Sequence, residues 1–180
     1  MKITSDIVSR AQRGEIDALR SVYEQTVSYL SVVCSRYIAD GEEIKDILQD
    51  VYLKAFRSLD KFTYKGEGSL RAWISRIAVN EAVNRLREKK KLSVFNEDVA
   101  IPDIADDEPP DIESIAESDI LEAIHSLPEG YRTVFNLYLF EKKSHKEIAS
   151  MLGISEGTSA SQYHRAKAML AKKIKEKIKQ

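Results

Sequence analysis

The sequence predicts an all-α protein: two small helical domains joined by a flexible acidic linker, the second carrying a helix-turn-helix. Three observations carry that expectation. Apolar residues recur at three- and four-residue steps in the segments on either side of residues 93–119. Between them lies FNEDVAIPDIADDEPPDIESIAESD, with three prolines and no sustained period, too polar to offset the entropy of ordering. Near the end, two short helical patterns meet at Gly153, where glycine reaches the left-handed turn that stops a helix without steric cost. The boundaries read as 1–92, 93–119 and 120–180.

Charge is segregated along the chain. The formal net charge is only -1, but Met1 to Phe95 holds 17 Lys/Arg against 13 Asp/Glu, and Ile120 to Gln180 holds 11 against 6. Asn96 to Asp119 holds 10 acidic residues and no basic one. Two mildly basic blocks flank an acidic strip, and such asymmetry is the informative form of charge. The single cysteine, Cys34, excludes an internal disulfide and a thiolate zinc cluster, and its neighbours Val32, Val33 and Tyr37 mark it as a small buried residue. The first 14 residues are polar and charged, unlike a signal peptide, and no apolar run approaches the ~20 residues that span a bilayer. The expectation is a soluble, cytoplasmic protein with no direct membrane insertion.

Taking the elements in order, Thr4, Ser5 and Asp6 cap a short helix that ends near Gly14. A long helix follows from about Ile16 to Ile38, with Leu19, Val22, Tyr23, Thr26, Val27, Leu30, Cys34 and Tyr37 in register. Asp40 and Gly41 break it. The next helix, about Glu42 to Leu59, buries Ile44, Ile47, Leu48, Val51, Tyr52, Ala55 and Phe56. Off that stripe lie Glu42, Glu43, Asp46, Gln49, Asp50 and Lys54, either a solvated face or a polar docking surface. Two glycines, Gly66 and Gly68, then open a loop bearing Phe62, Tyr64 and Lys65. A ring and a cation on such a loop suit an unpaired base and its phosphate; aromatics folded back on the core would read the same. Ser69 is expected to cap a helix from Leu70 to about Lys91, apolar at Leu70, Ile74, Ile77 and Ala78. Its other faces carry Arg71, Arg76, Asn80, Asn84, Arg85 and Arg87. The macrodipole favours cations at the last turn only, whereas these span the helix, and asparagine can pair bidentately with a base edge. This helix reads as a nucleic-acid face.

In the last block a helix of about Ser114 to Ser126 leads to Pro128, suited to the first position of the next helix. That helix is apolar at Tyr131, Val134, Phe135, Tyr138 and Leu139. Ile148, Ala149 and Leu152 form the apolar edge of the first hairpin helix, and Ser155 caps the second. There Ser159, Tyr163, Ala166 and Leu170 face inward, leaving Gln162, His164, Arg165 and Lys167 outside. A helix-turn-helix places its second helix in the DNA major groove.

Three segments in order then resemble a bacterial RNA polymerase sigma factor of the extracytoplasmic-function (ECF) group. EEIKDILQDVYLKAFRSLDKF is similar to the family's core-polymerase-binding helix, GSLRAWISRIAVNEAVNRLREKKK to its promoter-melting helix, and LPEGYRTVFNLYLFEKKSHKEIASMLGISEGTSASQYHRAKAML to the domain that reads the −35 element. The resemblance spans nearly the whole chain. It implies that Asp46, Gln49, Asp50, Leu53 and Lys54 bind core RNA polymerase. It implies that Phe62, Tyr64, Lys65, Ser69, Trp73, Arg76, Asn80, Asn84 and Arg87 bind promoter DNA at the −10 element, with an extruded base trapped under the loop. It assigns Thr158, Ser161, Gln162, His164 and Arg165 to the −35 element, and threads the linker along the polymerase's RNA path. It also implies an anti-sigma factor, often membrane-bound, as regulator, and no cofactor. The recognition helix departs from the family pattern. Ser159 stands where a core valine is usual, which is expected to loosen the hairpin. Ala160 and Gln162 lack the usual charges, which shifts recognition toward the −10 domain.

Two other readings have different consequences. A one-component regulator would bind an operator through this hairpin without polymerase. An enzyme would need chemistry the sequence does not assemble: His125, His145 and His164 sit in separate helices, and Asp46 and Asp50 have neither a phosphate loop nor a nucleophile beside them. No catalytic or metal-ligating set is expected.

Overall fold

The computed structural model describes residues 2–91 and 117–178. Residues 93–116 of the acidic linker, and with them the expected helix start at Ser114, lie outside the described residues. Every element among the described residues is helical, and the chain divides into two compact units, Met1–Glu88 and Lys89–Gln180.

The first unit is built from α1 (Ser5–Gln12), α2 (Ile16–Ser35), α3 (Gly41–Arg57), one 3₁₀ turn (Leu59–Lys61) and α4 (Ser69–Lys91). Thr4 caps α1 by accepting from the Ile7 N–H, and Asp40 caps α3 by accepting from the Glu43 N–H. The core joins Val8 and Ala11 of α1, Val22 and Leu30 of α2, Ile47 and Val51 of α3, and a broad face of α4. That face is wider than the sequence implied, adding Val79, Ala82, Val83 and Leu86 to Leu70, Ile74 and Ala78. Helix α2 stops at Ser35, yet Tyr37 and Ile38 stay buried, because both donate their N–H to the Cys34 carbonyl and tighten the last turn inward. Burial pushes the Cys34 thiol up to about 11, as befits an inert core residue. Tyr23, expected in the core, is instead 46% exposed.

Ser69 does not act as the expected cap. Its hydroxyl donates to the Gly66 carbonyl and accepts from the Lys65 N–H, bracing the loop before it. The Gly68 carbonyl takes the first helical bond, from Ala72, with Gly68 at φ 82.

The second unit contains α5 (Glu117–His125), α6 (Glu129–Leu139), α7 (His145–Leu152) and α8 (Glu156–Ile178). Ala123, Ile124, Leu127, Tyr131, Phe135, Ala166 and Leu170 form a core that holds α8 against α5 and α6. Pro128 sits one position earlier than expected, as the extended residue before α6. Tyr138 and Leu139, read as core, are 37% and 38% exposed, because the inward side of α6's last turn is taken by Leu137 and Asn136. Helix α7 begins with a capping box between Ser144 and Glu147 and ends at Gly153 in the left-handed conformation, φ 69. Ser155 accepts from the Thr158 N–H to start α8.

Candidate functional site

The fold distributes the candidate residues over three surfaces, each assembled by its own helices. On the first unit α2 and α3 diverge around a groove of about 800 Å³. Its lining is mostly apolar, with Tyr23, Val27, Leu48, Tyr52, Leu53 and Phe56, and Gln49 beside them. Tyr52 is locked in place: its hydroxyl meets Thr26 Oγ1 at 2.8 Å, and Thr26 bonds the Val22 carbonyl at 2.7 Å. Burial pushes the Tyr52 phenol up to about 12, against the opposing pull of the Thr26 hydrogen bond. Leu53, at 54% exposure, is an apolar side chain on the open rim.

The groove separates the predicted α3 residues. Gln49 and Leu53 line it. Asp50 and Lys54 turn toward α4, where Asp50 Oδ2 lies 3.8 Å from Arg85 and Lys54 Nζ lies 2.6 Å from Glu81 Oε2. Asp46 is exposed on the same helix. The partner residues on α2, Tyr23 and Val27, were missed as site residues because helical period assigns them to the core. Two apolar stripes facing each other across an open gap produce the same period as two stripes in contact.

The second surface combines the loop with α4. At 100° per residue, Ser69, Trp73, Arg76, Asn80, Asn84 and Arg87 fall within about 80° of one another around the helix. Arg76, Asn80 and Arg87 are exposed along it, and Trp73 and Asn84 are partly covered. Arg71 and Arg85 leave this stripe. The Arg71 guanidinium lies 5.1 Å from the centre of the Tyr29 ring, and Arg85 faces Asp50. The loop's aromatics are partly folded onto the body: Phe62 packs against Trp73 with ring centres 5.2 Å apart, and the Tyr64 hydroxyl reaches the Ile3 carbonyl at 3.4 Å. Lys65 remains exposed. A ring seated beside Trp73 at the head of a cationic, amide-bearing stripe can stack a base while the stripe follows a strand.

On the second unit α7 and α8 form the helix-turn-helix. The outward face of α8 shows Ala160, Ser161 and His164, all exposed. Thr158, Gln162 and Arg165 stand on its flank, half-buried. Thr158 Oγ1 pairs with Ser155 Oγ at 2.8 Å, and Ser161 Oγ donates to the Thr158 carbonyl at 3.0 Å. Arg165 Nη1 reaches the Tyr131 hydroxyl at 3.3 Å, so this cation also ties α8 to α6.

Ser159 does not leave a loose joint. It is fully buried and its hydroxyl meets His145 Nδ1 at 3.0 Å. His145 in turn stacks on Tyr138 with centres 4.7 Å apart, and Tyr138 lies 4.3 Å from Tyr163. A hydrogen bond from the first turn of α7 therefore replaces the packing a valine methyl would supply. The sequence held both partners, but not their meeting across the hairpin.

Comparison with known proteins assigns the chain to a family. Residues 22–92 match the model of sigma-70 region 2, and residues 117–170 match that of sigma-70 region 4. The RNA polymerase sigma-H factor of Pseudomonas aeruginosa is 30% identical, covering 93% of this chain and 92% of its own. The chain belongs to the sigma-70 family. The ECF RNA polymerase sigma-E factor of Haemophilus influenzae is 29% identical over 93% of both chains, and the ECF sigma factor SigW of Bacillus subtilis is 26% identical over 94% of this chain and 95% of its own. Among solved structures, the sigma factor RpoE of Bartonella quintana, crystallised with the anti-sigma factor NepR, superposes with a TM-score of 0.50 at 22% identity, covering 89% of this chain and 98% of that one. That likeness extends the shared fold across both units' sequence. With region 2 and region 4 in order, this sigma factor is of the ECF type, a transcription initiation factor that acts with RNA polymerase on promoter DNA.

Proposed function

We propose that the three surfaces divide the work of initiation as follows. The α2–α3 groove receives an apolar-faced helical element of core polymerase, with Leu53 and Gln49 at its rim and Asp46, Asp50 and Lys54 as flanking charges. The loop from Phe62 to Ser69 holds an extruded −10 base against Trp73 and Asn80. Arg76, Asn84 and Arg87 then carry the strand along α4. The outward face of α8, with Thr158, Ser161, Gln162, His164 and Arg165, enters the −35 major groove. The two reading domains are residues 1–92 and 120–180, with 93–119 as their linker. The protein works in the cytoplasm, where polymerase is, and has no catalytic role of its own; no helix among the described residues is long and apolar enough to cross a membrane. An anti-sigma factor of the kind bound to the Bartonella protein would silence it by covering the same groove.

The observation that carries this reading is the pairing, within one 71-residue match to region 2 (residues 22–92), of an open apolar groove on α2–α3 and a single exposed Arg/Asn stripe on α4. Such a unit can hold a protein on one side and a melted strand on the other. Run-off transcription with core polymerase on a genomic promoter library tests it. The expected result is a discrete set of transcripts that requires both the protein and core enzyme. Tight, specific duplex binding by the protein alone, with no transcripts on adding core, would overturn it in favour of an operator-binding regulator.

A further inference from the structure

We infer that Gln12, the last residue of α1, is a positioning residue for the base-trapping loop and sets its selectivity; this rests on the −10 reading proposed above. The Gln12 side-chain amide nitrogen donates to two backbone carbonyls at once, Leu59 at 3.0 Å and Phe62 at 2.8 Å. These two carbonyls bracket the 3₁₀ turn at the root of the loop, some fifty residues away in sequence. Phe62 is the residue whose ring packs on Trp73. One side chain thereby fixes the point from which the loop departs and the ring that opens its reading surface.

The loop needs such an anchor. It has no regular structure, and Gly66 and Gly68 both take positive φ, 108° and 82°, so its backbone has little preference of its own. Helix α1 is a firm base. Ile7, Val8 and Ala11 are buried, and Thr4 caps its start. Beyond the turn, the segment leading into α1 holds the other side of the loop: the Tyr64 hydroxyl reaches the Ile3 carbonyl, and Lys2 Nζ lies 3.0 Å from Glu67 Oε2. The chain before residue 13 thus clasps the loop at its root and near its tip, and Gln12 is the side chain in it that makes two hydrogen bonds to the root. An amide is the fitting group. Two carbonyl oxygens demand two hydrogens from one atom; a carboxylate of the same shape offers none.

The test uses holoenzyme assembled on a cognate promoter and measures opening with each of the four bases at the trapped −10 position. Gln12→Ala should lower the ratio of cognate to non-cognate opening by roughly three- to tenfold, about the worth of one of its two hydrogen bonds. Gln12→Glu should lower it further, by placing acceptor against acceptor, and Gln12→Lys, which can donate to both carbonyls, should restore part of it. Core-enzyme affinity should hold in all three. Thr4→Ala, which weakens α1 without touching the amide, should leave the ratio unchanged. A ratio preserved in Gln12→Ala and Gln12→Glu, or lost equally in Thr4→Ala, overturns the inference. Wild-type holoenzyme that opens all four bases alike would instead overturn the −10 reading itself.

Discussion

The reading helices of the two units, α4 and α8, have the same length and opposite economies. Helix α4 is buried over a wide face and still presents Arg76, Asn80 and Arg87 to solvent in one line. Helix α8 presents Ala160, Ser161 and His164, and its Arg165 is partly engaged by Tyr131. The first can grip a strand by charge and hydrogen bonding. The second can approach a duplex closely, with small residues outward and little charge beside them. The difference teaches that affinity and placement are separable in this protein. In the proposed division of work the first unit would supply grip and the second register, with the hairpin held by the Ser159–His145 bond and the tilted Tyr138–Tyr163 ring pair.

The largest expected effect concerns the α2–α3 groove of the first unit. Leu53→Asp puts a charge on the apolar rim of the groove and should weaken binding to core polymerase by roughly 30-fold or more. Titration of labelled core enzyme measures it. An unchanged affinity would remove the groove from the docking surface.

The comparison of α4 with α8 is tested next. Asn80→Ala should reduce promoter opening by about 1–3 kcal/mol, or roughly 5- to 150-fold, if the amide pairs with a base. The double change Ser161→Ala with Arg165→Ala should cost less than about tenfold in the same assay. Permanganate reactivity of the melted strand reports both. The reverse order would mean that α8, not α4, supplies the grip.

Smaller effects separate the units by stability. Gly153→Ala forces a side chain into the left-handed turn at a cost of about 1–2 kcal/mol. It should lower the stability of the second unit while the first is unmoved. Trp73 is the only tryptophan and lies in the first unit, so its fluorescence midpoint in urea should hold while the circular dichroism midpoint falls. A matching fall in fluorescence would show that the units unfold together.

The smallest effect is a pH dependence of the α7 cap. The Ser144 backbone N–H first, then Lys143 and the Ser144 hydroxyl, hold the Glu147 carboxyl down from its ordinary 4.5 to about 2. Because the folded value is the lower one, its stabilisation is fully present above about 4.5 and disappears as pH falls toward about 2. Glu147→Gln should flatten the stability of the second unit across that window. Acid titration by circular dichroism measures the slope, and identical slopes in both proteins would exclude the cap as its source.

Much of this protein was legible without coordinates, for reasons specific to helices. Local patterns determine local structure: Thr4 as a cap, Asp40 and Gly41 as a break, Gly153 as a left-handed stop, Ser155 as the start of α8, and the stripe along α3. Composition and charge marked out the two domains and the acidic strip between them, and family resemblance added their expected roles. What stayed hidden depends on pairs distant in sequence. Tyr23 and Val27 read as core because period reports apolar faces, not whether two faces close on each other. Ser69 read as a cap because a serine before a helix usually is one, yet its hydroxyl found the Gly66 carbonyl behind it. Ser159 read as a defect because only the crossing of α7 over α8 brings His145 to it. Gln12 gave no signal at all, since an amide at a helix end is ordinary until two carbonyls some fifty residues along the chain arrive within 3.0 Å. Elements and their ends follow from neighbours in the chain, which the sequence records. Grooves, braces and clasps follow from neighbours in space, which only the packed helices bring together.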